Sequence, residues 1–198
     1  GVLKHHDDQE DVKSNLDDLY TLYKALYKAR LKRGAIGVES TESGFQFDKR
    51  GAVTGLVAHD RNDAHKLIEE CMILANVEAA RFLLKQHLPA PYRVHASPPE
   101  VKLTALSEFL RGQGMHVPWR DDPEPKDFDA VAQQAKGRPD EHLIMAVLLR
   151  SQSLAAYQTA NEGHFGLALD AYAHFTSPIR RYPDLLVHRA IHHVLERR

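Results

Sequence analysis

Residues 173–193 read "AHFTSPIRRYPDLLVHRAIHH". Inside that stretch, "TSPIRRYPD" (176–184) places a Thr-Ser-Pro ahead of two adjacent arginines and a Tyr-Pro-Asp behind them. Thr176 or Ser177 suits a helix N-cap. Pro178 suits the first helical position, because proline lacks an N–H that would go unpaired there anyway. The pattern predicts a closing helix over 178–197, with Arg180 and Arg181 leaving its first turn about 100° apart. Cations at that end oppose the helix dipole, so something must offset them. Two readings stand. In one, a phosphate or carboxylate is held by the guanidinium forks and the unpaired N–H groups. In the other, Asp184, four residues after Arg180, forms an i,i+4 ion pair on a surface helix.

Upstream of the quoted stretch, helical signals dominate. Leu16, Leu19, Tyr20, Tyr23, Leu26, Tyr27 and Leu31 recur at helical spacing, and Gly34 is a stop signal. The polar opening "GVLKHHDDQE" reads as a cut end rather than a built terminus. "AIGVES" (35–40) reads as a short strand, and "GFQFD" with "AVTGLVAHD" as a hairpin turning through Lys49–Gly51. Asn62 or Asp63 caps a helix over 64–87. Its apolar residues cover most of its circumference, which predicts a central, buried helix. Ser97, Pro98 and Glu100 give the S-P-x-E start of another helix, ended by Gly112 or Gly114. A proline-rich loop at 116–126 leads to helices near 128–136 and 140–158. The segment 159–175 reads as a loop and a short strand. The fold class is therefore α+β, mainly helical with a small sheet, and no linker forces a division into two domains.

The chain has 198 residues, is 43% hydrophobic and 27% charged, and carries a net charge of −1. These values fit an ordinary globular domain with enough chain for a sizeable core. Near-zero charge excludes a global basic field, so any polyanion site must be local. No run reaches the roughly 18 apolar residues of a membrane helix, so no membrane partner is expected. The lone Cys71 cannot form an internal disulfide. It reads as core packing and favours a reducing, cytoplasmic setting.

"HFGLALDAYAHFTSPIRRYPDLLVHRAI" (164–191) closely resembles the C-terminal motif of the catalytic domain of the ribonuclease II and ribonuclease R family of 3′-to-5′ exoribonucleases. "RNDAHKLIEECMILANVEAARF" (61–82) resembles a second block of that domain, in the same order. "LYKARLKRG" and the "VES" after it also fit, so the resemblance covers nearly the whole chain. It implies an enzyme that threads single-stranded RNA 3′ end first and releases nucleoside 5′-monophosphates. In such an enzyme two Mg²⁺ ions, held by aspartates, activate water and stabilise the leaving oxygen. It assigns Arg180 to charge developing on a phosphate near the scissile bond. Thr176, Ser177, Arg181 and Tyr182 are neighbouring RNA-contact candidates. Glu70, with Glu69 as the alternative, is assigned to the terminal nucleotide.

Two departures qualify the resemblance. The family's aspartate cluster precedes the "EEC" block, and this chain carries no such cluster there. Metal ligands are expected from an upstream catalytic half, with a β-barrel RNA-binding domain following, so the chain by itself is expected to be inactive. "DDPEPKDFDAV" (121–131) comes in the wrong order and reads as a loop entering a capped helix, not as a metal cluster. Val38 stands where relatives often carry a base-stacking aromatic; Phe45, Phe47 or Phe175 is a substitute only if it is not core. A non-catalytic RNA- or protein-binding module is the second functional reading. A third is a zinc site on His188 and His192, four residues apart on one helix face. The cluster Lys28, Arg30, Lys32 and Arg33 reads as favourable charge at a helix C-terminus.

Overall fold

The structure is a computed structural model, and it describes residues 2–37, 42–59 and 62–196, with side chains described over 12–37, 44–57 and 62–196. In chain order the elements are α1 (Val2–Arg33), β1 (Glu42–Phe47), β2 (Val53–His59), α2 (Asp63–Lys85), β3 (Tyr92–Val94), α3 (Glu100–Gly112), α4 (Pro125–Ala135), α5 (Glu141–Ser151), β4 (Ala156–Gln158) and α6 (Tyr182–Glu196). The expected mainly helical α+β class is what the chain adopts. The chain packs as two units: residues 1–27 with 38–71, and residues 28–37 with 72–198.

In the first unit, α1 starts at Val2, so the polar opening is helical rather than a loose end. Tyr20, Tyr23 and Tyr27 share one face, with ring centroids 5.9 and 5.8 Å apart in sequence. β1 and β2 form the expected antiparallel hairpin. Its turn is closed by Asp48, whose carboxylate accepts from the N–H groups of Arg50 and Ala52. Gly51 takes φ +80°, open to glycine at little strain. Phe45 and Phe47 are exposed, 64% and 59%, so neither is core. Val38 and the "VES" stretch lie outside the described residues.

In the second unit, Gly34 ends α1 at φ +73°, and a Cβ there would stand 2.6 Å from that of Lys126. The core of this unit has two main parts. Leu106 and Leu110 of α3, Phe128, Val131 and Ala135 of α4, and Ile144 and Leu148 of α5 form the first, with Trp119 stacked on Phe128 at 5.1 Å. Ala79, Ala80 and Leu83 of α2, Tyr92 and Val94 of β3, Ala171, Ala173 and Val187 form the second. β3 pairs antiparallel with β4, bringing Arg93 opposite Tyr157.

Several boundaries differ from expectation. α3 begins at Glu100 with Pro99 at its N-cap and no side-chain cap, because two prolines hold 98–99 extended; Ser97 is not the cap. α5 stops at Ser151, and residues 156–158 pair with β3 instead of extending a helix. The segment 159–175 forms isolated bridges and a 3₁₀ turn at Phe165–Leu167 rather than a strand. α2 is not apolar all round in its setting: Ile68 is 56% exposed and Cys71 is half-buried. Asn62 caps it, its Oδ1 accepting the His65 N–H. Among the described residues no helix is long and apolar enough to cross a membrane.

Candidate nucleic-acid interface

The closing helix starts at Tyr182, not at Pro178. Both prolines of "SPIRRYPD" satisfy the first-turn rule, and Pro183 is the one inside the helix. Residues 178–180 form a tight turn instead. The Ser177 carbonyl accepts from the N–H groups of Arg180 (3.3 Å) and Arg181 (3.0 Å), and the Arg181 carbonyl accepts from Leu185 N–H at 3.3 Å. Two donors expected for an anion are therefore already occupied, and Pro178 and Pro183 have none.

The two arginines have opposite settings. Asp184 is fully buried, and its Oδ1 accepts from Ser177 N–H and from Arg181 Nη2, each at 2.8 Å. Arg181, with its side chain 23% exposed, is thus the partner of Asp184. The predicted Arg180–Asp184 pair does not form, because the helix begins one residue after Arg181 and puts Asp184 beneath that side chain. Arg180 points outward. Its Nη2 lies 3.5 Å from Ser177 Oγ, at the outer limit of a hydrogen bond, and no carboxylate among the described residues pairs with it. Ile179 beside it is wholly exposed, and Tyr182 is 64% exposed. Thr176 Oγ1, Arg181 Nε and Asp184 Oδ2 are buried and have no hydrogen-bond partner among the described residues.

The turn is held from below by Asn76, which sequence reading missed, and by His188, which it read only as a zinc candidate. Buried Asn76 of α2 donates to the Tyr172 hydroxyl at 3.0 Å and accepts the Phe175 N–H at 2.9 Å. A lone asparagine in an apolar helix was the available signal. His188 of α6 stacks on the Phe175 ring, centroids 4.1 Å apart, and donates Nε2–H to the Phe175 carbonyl at 2.8 Å. His192 reaches Glu196 at 3.2 Å. His188 Nε2–H is taken by the Phe175 carbonyl, and among the described residues no group of three metal-ligating side chains joins His188 and His192. Phe175 is likewise occupied by that ring contact rather than free as a base platform.

Behind the turn runs a line of rings. His95 Nδ1 accepts Gly166 N–H at 2.9 Å and its Nε2–H donates to the Ser153 carbonyl at 2.8 Å. His164 packs on His95 at 4.9 Å and on Tyr172 at 5.3 Å, and Tyr172 meets His174 at 5.7 Å. Burial, then the neighbouring His95, lowers the His164 pKa to about 4. Burial, then the Arg181 charge, lowers that of His174 to about 4 as well, with Arg93 and Arg180 adding to the effect and Asp184 opposing it. Both imidazoles are neutral at neutral pH.

Glu70 belongs to the first unit and the turn to the second. It is 4% exposed, and its charge, with that of Asp63, helps raise the Tyr23 pKa after burial itself. Glu69 is half-buried. The 121–131 stretch is a loop entering a capped helix, as expected. Glu124 and Asp127 form a reciprocal capping box on α4, and Asp129 accepts Gly37 N–H at 3.3 Å. The carboxylates that Mg²⁺ would need are thus not assembled among the described residues.

The turn is held from below, presents Arg180 outward beside the exposed Tyr182, and among the described residues has no group of three metal-ligating side chains. Residues 2–197 match the RNB domain, and the chain belongs to that family. Ribonuclease R of Escherichia coli (strain K12) is 48% identical over 181 residues, which is 91% of this chain and 22% of that protein. The chain thus spans about a fifth of the length of this curated relative. Mycoplasma genitalium RNase R, solved in complex with ribose-methylated single-stranded RNA, superimposes with a TM-score of 0.85 at 30% identity, covering 92% of this chain and 29% of that one. Yeast Ssd1, a pseudonuclease, matches with a TM-score of 0.58 at 25% identity over 67% of this chain and 17% of its own.

Proposed function

We propose that this chain forms the phosphate-contacting wall of a cytoplasmic exoribonuclease that hydrolyses RNA from its 3′ end to nucleoside 5′-monophosphates. The observation that carries the reading is the division of labour in the turn. Asp184 neutralises Arg181, which leaves Arg180 exposed, charged and, among the described residues, without a carboxylate partner. A guanidinium matches phosphate oxygens through two parallel hydrogen bonds and stabilises charge that builds on them. Tyr182 and Ser177 offer further contacts to the strand. Mg²⁺ supplies a water nucleophile and leaving-group stabilisation in such hydrolysis. The described residues hold no ligand set for it, and its carboxylates are assigned to the remainder of the full-length protein, along with flanking RNA-binding domains.

The test uses the full-length protein, Mg²⁺ and single-stranded RNA, with release of nucleoside 5′-monophosphates as the readout. Arg180→Ala is expected to slow turnover by about 10²- to 10³-fold, as loss of one preorganised transition-state contact does. An unchanged rate would show Arg180 to be structural. A second reading, RNA binding without hydrolysis, draws on the likeness to a pseudonuclease and on the missing ligand set among the described residues. RNA binding by the full-length protein with no turnover at any Mg²⁺ concentration would favour it.

A further inference from the structure

Arg93 lies on β3, directly opposite Tyr157 on β4. Its guanidinium carbon sits 4.7 Å from the centre of the Tyr157 ring. Tyr157 is 41% exposed, and its hydroxyl lies 2.6 Å from Nδ1 of His174, two residues before the turn. The Tyr157 and His174 rings also meet edge to face at 5.6 Å. Arg93, Tyr157 and His174 are thus one linked group, joined to "TSPIRR" through His174, two residues before Thr176.

The charges in this group do not balance. Among the described residues, neither Arg93 nor Arg180 pairs with a carboxylate, whereas Arg181 is paired with Asp184. Arg93 and Arg180 are each close enough to His174 to weigh on its protonation. A ring contact with an arginine at a partly exposed site contributes about 0.5–1 kcal/mol and leaves the cation charged. Covering Tyr157 therefore explains where the Arg93 side chain lies. It does not explain why two guanidiniums without a carboxylate partner among the described residues both act on His174 in a chain whose net charge is −1. A strand bearing a phosphate at every nucleotide supplies the missing counter-charges at a repeat.

We propose that Arg93, mounted on the Tyr157 ring, is a second phosphate contact, engaging the single-stranded RNA backbone at a phosphate other than the one held by Arg180. The proposal rests on the ribonuclease reading above and extends its RNA track onto the β3–β4 ribbon. His174, kept neutral, fixes the Tyr157 hydroxyl without adding a titrating charge to the track.

The experiment measures binding of labelled oligo(U) and oligo(A) to the full-length protein across a salt series, with EDTA present to stop turnover. Each phosphate contact on a single strand contributes about −0.7 to the slope of log K against log salt. Arg93→Gln should weaken binding of both oligomers and flatten that slope by about 0.7, Arg180→Gln should do the same, and Arg93→Lys should keep the slope. If Arg180→Gln flattens the slope and Arg93→Gln does not, the second contact is overturned and the ribonuclease reading stands. If the effect of Arg93→Gln is confined to one base composition, the backbone assignment is overturned. If the wild-type protein binds neither oligomer, both readings fall together.

Discussion

Arg180 and Arg181 are chemically identical neighbours with different physical roles. Arg180 is exposed and makes one marginal contact, so Arg180→Ala should change stability by no more than about 0.5 kcal/mol, as surface substitutions do. Arg181→Ala strands the fully buried Asp184 carboxylate without its cation. Removing one member of a buried pair costs about 3 kcal/mol or more. The urea midpoint, followed by fluorescence of Trp119 in the second unit's core, should therefore fall sharply in Arg181→Ala and barely move in Arg180→Ala. Equal midpoints would mean that Asp184 finds another partner.

At the scale of elements, the turn owes its shape to α2, distant from it in sequence, and to α6, which follows it directly. Asn76 on α2 bonds at once to Tyr172 and Phe175, and His188 on α6 clasps Phe175 by ring and by carbonyl. Asn76→Leu leaves the Tyr172 hydroxyl and the Phe175 N–H unpaired, at about 1–3 kcal/mol for a buried group. The variant should lose stability in the same urea assay. It should also lose RNA turnover in the full-length protein beyond what its folded fraction explains, because Arg180 is then presented from a displaced turn. Full activity per folded molecule would show that the turn keeps its shape without Asn76. β3 and β4 are a comparable case: three residues each, stable only as a pair and through the core beneath.

For the whole molecule, the neutral histidines give stability a pH dependence with a definite sign. Above the ordinary histidine value of 6.5, His164 and His174 are neutral both folded and unfolded. Below it the unfolded chain takes up protons that the folded chain refuses until about pH 4. Stability therefore declines as the pH falls through that window and levels off beneath it. His174→Gln should make the decline shallower; an unaltered pH profile would show that His174 titrates normally. Much of this architecture was legible in the residues: the Gly34 stop, the hairpin through Gly51, and the capped helix hidden in the aspartate-rich 121–131 stretch all follow from local chemistry. Where two prolines competed to open α6, local rules could not choose, and the wrong choice carried the ion pair from Arg181 to Arg180. Asn76 and the Arg93–Tyr157–His174 group escaped notice, and His188 was read as a zinc candidate, because their partners lie many residues away and are set by packing alone.

The pairing beneath the turn also has an evolutionary consequence. Codons 180 and 181 both encode arginine, yet their lesions meet different fates. A missense change at 181 strips Asp184 of its cation, destabilises the fold and lowers the folded dose. On the role proposed for Arg180, one at 180 keeps a sound fold while doing less. Drift toward a folded but silent relative therefore has an easy path through one of these codons and a barred one through the other.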